Sequence, residues 1–422
     1  MATSEQTGGS AAGDPLTQWR VLVDLVEASH LAAPHRVPEV VDDHARRLGA
    51  HSATIYLADL EQTTLVPFTD GSRGEADSPP LRIDSTLAGR AYQHDEVVAQ
   101  PPHDEQARVT LWSPLRNGLD RSGVLSVVLE EDDPSAVGRA APTTGGAPDW
   151  LQPLATLTAE LLAVKAACSD TLVNARRSSS LDLAAEIQWS LLPPLTFGSD
   201  RVTIAACLEP AYEVAGDSVD YAVEQDVARF AVFDGMGHGL GSAQLAELTV
   251  ATYRNTRRNG GTLEETARSI DASVEEGFAG DSFSTGVLAE LHLDTGRIEW
   301  VNAGHPEPLV LRRGRHVKTL STGSGLPFGL GLPGDHGHRV GHDQLEPGDQ
   351  VLLFTDGVIE ARSPAGDQFG VARLVDLLSR TVTEDLPAAE SMRRVSRALV
   401  EHHQARLTDD ATMLLVGWSP GA

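Results

Sequence analysis

The chain has 422 residues, about three times a common single-domain length of ~150, so two or more folding units are expected and one continuous core is not. Apolar residues make up 41% and charged residues 22%, which excludes collagen-like, fibrous and wholly disordered classes. Against 33 Lys plus Arg stand 60 Asp plus Glu, a formal net charge of −27; that field repels nucleic-acid backbones and anionic membranes, so neither is expected as a partner.

Residues 1–14 are rich in Ser, Gly, Thr and Ala, lack the basic start and apolar run of a secretory signal, and read as a disordered tail. From Leu16 to Gly49 the apolar residues Val21, Leu22, Leu25 and Val26, then Val37, Val40, Val41, Ala45 and Leu48, keep a helical period. Pro34 and Pro38 mark the break between the two helices. Strand-like runs follow at Ser52–Leu57, Thr64–Phe68, Glu96–Ala99, Val109–Pro114 and Gly123–Glu130, separated by Gly, Pro, Asp and Asn turns. Helices followed by an antiparallel sheet predict an α+β sensor domain over residues 15–165.

Asp132–Pro148 has no apolar period and reads as a loop. Trp150–Arg176 reads as one long helix, in which Leu154, Leu157, Leu161, Leu162 and Val164 make a stripe that must be buried. Leu151–Cys168 is the best candidate for a membrane span, but Glu160 and Lys165 interrupt it. A second copy of this helix would cover the stripe and make a homodimer; packing on its own sheet is the alternative. Residues 166–192 are expected to be a helical linker, with a helix over Leu181–Leu192 begun by Ser178, Ser179 and Ser180 and ended by Pro193-Pro194. Only Cys168 and Cys207 occur, outside any Cys-x-x-Cys pair, which fits a reducing cytoplasm and no zinc site.

Residues 193–420 form the expected second domain, β-rich with helical intervals at Ser242–Arg257, Leu263–Glu276, Ala372–Leu378 and Ala388–Gln404. Here one arrangement recurs: an apolar strand delivers an aspartate at its end, next to glycine. Arg229–Phe233 leads into Asp234-Gly235, and Gln350–Phe354 into Thr355-Asp356-Gly357. Asp409-Asp410 directly precedes the run Ala411–Val416, and Asp217 and Asp220 follow the strand near Ile204–Leu208. Any one Asp-Gly is most simply a turn. Four at strand ends of a shared core would bring carboxylates together, and a bound divalent cation would relieve their repulsion. Hard oxygen donors favour Mg²⁺ or Mn²⁺.

Several blocks carry a family resemblance: Glu186-Ile187-Gln188 through Leu191-Leu192-Pro193, Glu213-Val214-Ala215-Gly216-Asp217, Asp234-Gly235-Met236-Gly237-His238-Gly239, Asn302-Ala303-Gly304-His305-Pro306, Gly325-Leu326-Pro327-Phe328-Gly329, Phe354-Thr355-Asp356-Gly357-Val358-Ile359-Glu360-Ala361 and Asp409-Asp410-Ala411-Thr412. In this order, over roughly Leu181 to Val416, the chain resembles the bacterial SpoIIE-type phosphatases, a branch of the metal-dependent protein phosphatase 2C superfamily. It departs from the family pattern at Ala215 and at Ser218-Val219, which removes no carboxylate.

The resemblance implies an αββα sandwich with two Mn²⁺ or Mg²⁺ ions at one end. Asp234 would bridge both ions and the Gly235 carbonyl would bind one; Asp217 would hold one ion directly or through water, and Asp356 and Asp409 would complete the other. Asp217, Asp234 and Asp356 would then be the catalytic set, hydrolysing phosphoserine or phosphothreonine on an anti-anti-sigma factor of STAS fold in the cytoplasm. A pseudophosphatase scaffold is the competing expectation. His305 is weighed as a general acid and preferred as a structural histidine, His238 as a shaping residue, and Glu360 as a supporting group. His336, His338 and His342 read as a solvated loop, and Cys207, without a Cys-x₅-Arg loop, is no nucleophile. The N-terminal unit resembles a GAF domain by pattern and position, with an unknown small-molecule or protein signal.

Overall fold

The computed structural model describes residues 14–69, 78–101, 108–130, 146–210, 212, 216–323, 325–330, 338–403 and 409–421. The expected tail apart from residue 14, most of the 132–148 loop, residues 213–215 and His336 lie outside that range. Internal contacts divide the chain into two units, residues 1–117 with 121–178, and residues 179–422 with 118–120.

In the first unit, helices α1 (Pro15–His30) and α2 (Val37–Arg47) precede strands β1 (Ser52–Ala58), β2 (Thr64–Phe68) and β3 (Leu81–Arg82). Helix α3 (Leu87–His94), strands β4 (Val98–Gln100), β5 (Arg108–Asn117) and β6 (Asp120–Glu130), and helices α4 (Leu151–Ala166) and α5 (Asp170–Ala175) follow. The sheet order is β3-β2-β1-β6-β5-β4. Successive side chains of β1 alternate between faces, as a pleated strand requires. Ile55 and Leu57 join the core under α1, α2, α4 and α5, while Tyr56 and Ala58 join the core under α3.

The expected single helix over Trp150–Arg176 is two. Helix α4 ends at Ala166, and Ser169 starts α5 by accepting a hydrogen bond from the Thr171 amide. The α4 stripe is covered within its own unit: Leu154 and Leu162 are buried there, and Leu157 and Leu161 pack against the same core. The expectation that a second copy covers this helix therefore does not hold for those leucines. The boundary also moves. Leu172 belongs to the first core, and the Arg176 carbonyl and Nε bond to the Leu60 amide and the Ala58 carbonyl, so residues 166–178 sit with the first unit where a linker was expected.

The second unit starts with α6 (Leu183–Leu191), capped by Asp182 and not by the preceding serines. Strands β7 (Thr196–Gly198), β8 (Val202–Glu209), β9 (Asp217–Val223) and β10 (Val227–Gly235) lead to helices α7 (Leu240–Arg258) and α8 (Leu263–Phe278). Then come β11 (Ser284–His292), β12 (Arg297–Ala303), β13 (Leu309–Arg312), β14 (Arg315–Thr319), β15 (Val340–Gln344) and β16 (Asp349–Phe354). Helices α9 (Asp356–Glu360), α10 (Gly370–Thr383) and α11 (Ala388–His403) precede the last strand, β17 (Ala411–Trp418). One sheet runs β15-β12-β11-β10-β9 and the other β14-β13-β16-β17-β8-β7.

Three cores give the layer order. Phe230, Val232, Leu291 and Trp300 of the first sheet meet Ile204, Val351, Leu353 and Val416 of the second. The outward residues Phe233, Leu288 and Val301 pack under Leu245 and Val250 of α7 and Ile270 of α8. On the far side Cys207, Leu352, Phe354 and Met413 pack under Leu374 of α10 and Val395 and Leu399 of α11. Helices, sheet, sheet, helices is the layer order expected from the resemblance. Since β9, β10, β16 and β17 each place an aspartate at a strand terminus, the pairing of the sheets decides where those carboxylates go.

Candidate metal centre

Asp217 opens β9 and pairs in register with Asp234 on β10. On the other sheet Phe354 of β16 pairs with Met413 of β17, which sets Asp356, just after one strand, beside Asp409 and Asp410, just before the other. Among the described residues, hydrogen bonds join the sheets at this end. The Thr355 hydroxyl donates to Asp217 Oδ2 at 2.8 Å in a buried bond, and Asp410 Oδ2 accepts from the Gly216 amide at 2.8 Å. Thr355 Oγ1 in turn accepts the Thr412 amide at 2.9 Å.

Glycine is required here by backbone crowding. A Cβ on Gly357 would lie 1.9 Å from the Asp410 carbonyl oxygen, and one on Gly216 would lie 2.5 Å from that of Gly235. The Asp-Gly at 356–357 therefore lets two strand ends approach each other.

The carboxylates grade from floor to mouth: Asp217 is buried, Asp234 and Asp410 half-buried, and Asp356 and Asp409 exposed. Burial first, then the charges of Asp234 and Asp410, raise Asp217 well above the ordinary carboxylate range. Burial, then Asp356, Asp409 and Asp410, push Asp234 up to about 7. Asp409 is raised by burial, then chiefly by Asp356, with Asp410 and Glu360 adding to it. Among the described residues, no basic side chain contributes to these shifts. Among the described residues, no three His, Cys, Asp or Glu side chains already close into a metal shell. The donor set nevertheless fits hard divalent cations: it is oxygen only and negative.

Of the residues singled out from sequence, Asp217, Asp234, Gly235, Asp356 and Asp409 meet at this end. The Gly235 carbonyl accepts a hydrogen bond from Ser242 Oγ at 3.2 Å, and Glu360 acts on Asp409. His305 is not at the mouth. It is buried, its Nδ1 is 2.8 Å from Thr285 Oγ1, and Asn302 clasps its backbone through both amide atoms. Burial lowers its pKa to about 3, so the ring is neutral and braces β11 and β12. His238 is exposed on the loop before α7. His342 lies in β15, where it faces Glu299, and His338 stacks near Phe328, so these two do not form the expected open-loop cluster. Burial drives the Cys207 thiol far up, which leaves it inert.

Sequence reasoning gave no role to Thr355 and Thr412, which support the Asp217 carboxylate, or to Ser242, which holds the Gly235 carbonyl, and it grouped Asp220 with Asp217. Asp220 is three positions along β9 and buried, and it binds Arg254 at 2.7 Å and Arg257 at 2.9 Å. Arg254 also donates to the Leu191 carbonyl at the end of α6.

Residues 224–419 match the family model described as stage II sporulation protein E (SpoIIE). The second unit carries a SpoIIE-type domain. Its matched span holds Asp234, Asp356, Asp409 and Asp410 and starts just after the strand of Asp217. Over 240 residues the chain is 22% identical to the phosphoserine phosphatase RsbU of Bacillus subtilis, covering 56% of this chain and 70% of that protein. Over 243 residues it is 25% identical to the phosphoserine phosphatase RsbP of the same organism, covering 56% of this chain and 57% of RsbP. Among solved structures, the SiaA-PP2C domain of Pseudomonas aeruginosa aligns with a TM-score of 0.47 at 21% identity, covering 56% of this chain and 94% of that one.

Proposed function

We propose that this chain is a metal-dependent serine/threonine phosphoprotein phosphatase whose substrate is a phosphorylated anti-anti-sigma factor of STAS type. The observation that carries the reading is the convergence of Asp217, Asp234, Asp356, Asp409 and Asp410 at one end of the paired sheets, where burial and neighbouring carboxylates raise Asp217, Asp234 and Asp409. Asp217, Asp234, Asp356 and Asp409, with the Gly235 carbonyl, would hold two Mn²⁺ or Mg²⁺ ions, which would lower the pKa of a water for in-line attack and neutralise the phosphoryl oxygens. The chain's own residues do the rest. Asp234 lies centrally, acted on by Asp356, Asp409 and Asp410, and itself acts on Asp217. Thr355 fixes the Asp217 carboxylate, and the exposed Asp356 and Asp409 line the side from which a phosphoprotein would approach. The relatives RsbU and RsbP are named phosphoserine phosphatases, which supports the reaction class.

The first unit is read as a GAF-like sensor in a cytoplasmic protein. Among the described residues no helix is long and apolar enough to cross a membrane. Within the second unit α6 is coupled to the carboxylate end through Arg254, Asp220 and β9, so a signal that moves α6 would reach Asp217. Phosphate release from a serine-phosphorylated STAS protein, with and without a chelator, tests the reading. Release that needs Mn²⁺ or Mg²⁺ and far exceeds release from free phosphoserine is expected. Full activity in chelator contradicts the metal centre, and no release under any condition favours the pseudophosphatase.

A further inference from the structure

Helix α1 has two apolar faces. Val21, Leu22 and Leu25 point into the core of the first unit. A second stripe remains exposed: Leu16 at 70%, Trp19 at 65%, Val23 at 40% and Val26 at 36%. Their spacing of three, four and three residues is that of a helix–helix seam, and at about 100° per residue it lies on a different side of the helix from the core residues. Four large apolar side chains in a row on one helix exceed the scattered exposure ordinary for a surface.

The sequence of the segments outside the described residues speaks against a cover from within the first unit. Residues 1–13, 70–77, 102–107 and 131–145 contain Met1 and Val137 as their only large aliphatic or aromatic side chains. The charges beside the stripe point to a specific partner. Arg20 precedes Val23 by three residues and Glu27 follows it by four. Arg20 and Glu27 lie on the same flank of the stripe, so two copies packed parallel would turn them toward the opposite flank of the partner and away from each other. Packed antiparallel about Val23, they place Trp19 against Val26 and Arg20 against Glu27 twice over.

We infer that α1 is a self-association surface, joining a second copy of this chain in antiparallel fashion with Val23 at the two-fold axis. This relocates the dimer contact expected for α4, whose leucines are buried in or packed against the core of their own unit. The seam is small beside a standard interface of about 800 Å² per partner, so the association is weak and concentration-dependent.

The test uses the full chain. Sedimentation from roughly 1 to 100 µM, a range that reads weak association, should show a monomer–dimer equilibrium. Val23→Glu should abolish it with an unchanged circular dichroism spectrum. Arg20→Glu should weaken it roughly tenfold, and adding Glu27→Arg should restore it, because opposite charges again face each other. In a Cys168→Ser background, Val23→Cys should cross-link on oxidation and Leu16→Cys should not. A monomer throughout overturns the proposal. Equal cross-linking at both positions, or no rescue by the double charge reversal, overturns the antiparallel arrangement. If Val23→Glu instead lowers the unfolding temperature of a monomer, the stripe is covered within the chain and the proposal fails.

Discussion

Asp217 and Asp220 lie three residues apart on β9, both buried, in opposite electrostatic surroundings. Asp220 meets two guanidinium groups, Arg254 and Arg257. Asp217 meets the hydroxyl of Thr355 and the charges of two more carboxylates. The same contrast holds across the second unit, where buried Asp349 is bound by Arg312 through two bonds of 2.7 and 3.0 Å. An acidic residue with an arginine is part of the scaffold; buried acidic residues that raise one another's pKa values carry a cost that a bound cation would relieve. That difference separates scaffold from reactive centre in a chain with 60 acidic side chains.

The largest effect that would sharpen this contrast is on activity. Asp234→Asn or Asp356→Asn should lower phosphatase turnover by about 10³-fold or more, the scale of removing a central electrostatic group, while the metal-free fold is kept or strengthened. Steady-state rates together with unfolding curves check both halves, and an active Asp234→Asn protein breaks the comparison. Next comes stability. Asp220→Ala leaves the Arg257 guanidinium buried without its carboxylate and should cost about 3–5 kcal/mol. Asp217→Asn should cost nothing in the metal-free protein, since it removes a repelled charge. Denaturant unfolding of the pair decides whether the two aspartates differ in sign.

A third effect is pH-dependent. The folded pKa of Asp234, about 7, lies above an ordinary aspartate value of ~3.9, so the folded state binds the proton more tightly than the unfolded one. The metal-free protein should therefore lose stability as pH rises from about 4 to about 7 and level off above, with Asp217 and Asp409 acting in the same direction. Thermal unfolding in chelator should show this slope, and Asp234→Asn should flatten it. The smallest effect concerns the support. Thr355→Val removes the donor to Asp217 and the acceptor of the Thr412 amide, with an expected loss of roughly 1–3 kcal/mol. An unchanged midpoint would mean that the threonine does not hold the two sheets together here.

Much of this was legible in the sequence, for physical reasons. The apolar strand runs ending in Asp-Gly mark the ends of sheet strands, so Asp234 and Asp356 could be read directly, and the helix pair α1 and α2 followed from apolar spacing and proline breaks. Thr355 and Thr412 could not. Their roles depend on two sheets meeting across 138 residues for Thr355 and Asp217, and across 194 for Gly216 and Asp410, and threonine in a strand carries no signal of its own. Asp220 was grouped with Asp217 because its arginines lie 34 and 37 residues away on a helix. The break between α4 and α5 falls at Cys168-Ser169, without glycine or proline to announce it. The exposed face of α1 was hidden because Val26 fits the same helical period as the core-facing Val21, Leu22 and Leu25; only the fold shows which residues the sheet takes.

Calorimetric titration of Mn²⁺ into metal-free protein at pH 6 and pH 8, repeated in buffers of different ionisation enthalpy, tests the central claim most directly. The carboxylate cluster predicts saturable binding that releases protons at pH 6, where Asp234 is largely protonated, releases fewer at pH 8, and is lost in Asp234→Asn. Proton release independent of pH, or Mn²⁺ binding undiminished in Asp234→Asn, would contradict it.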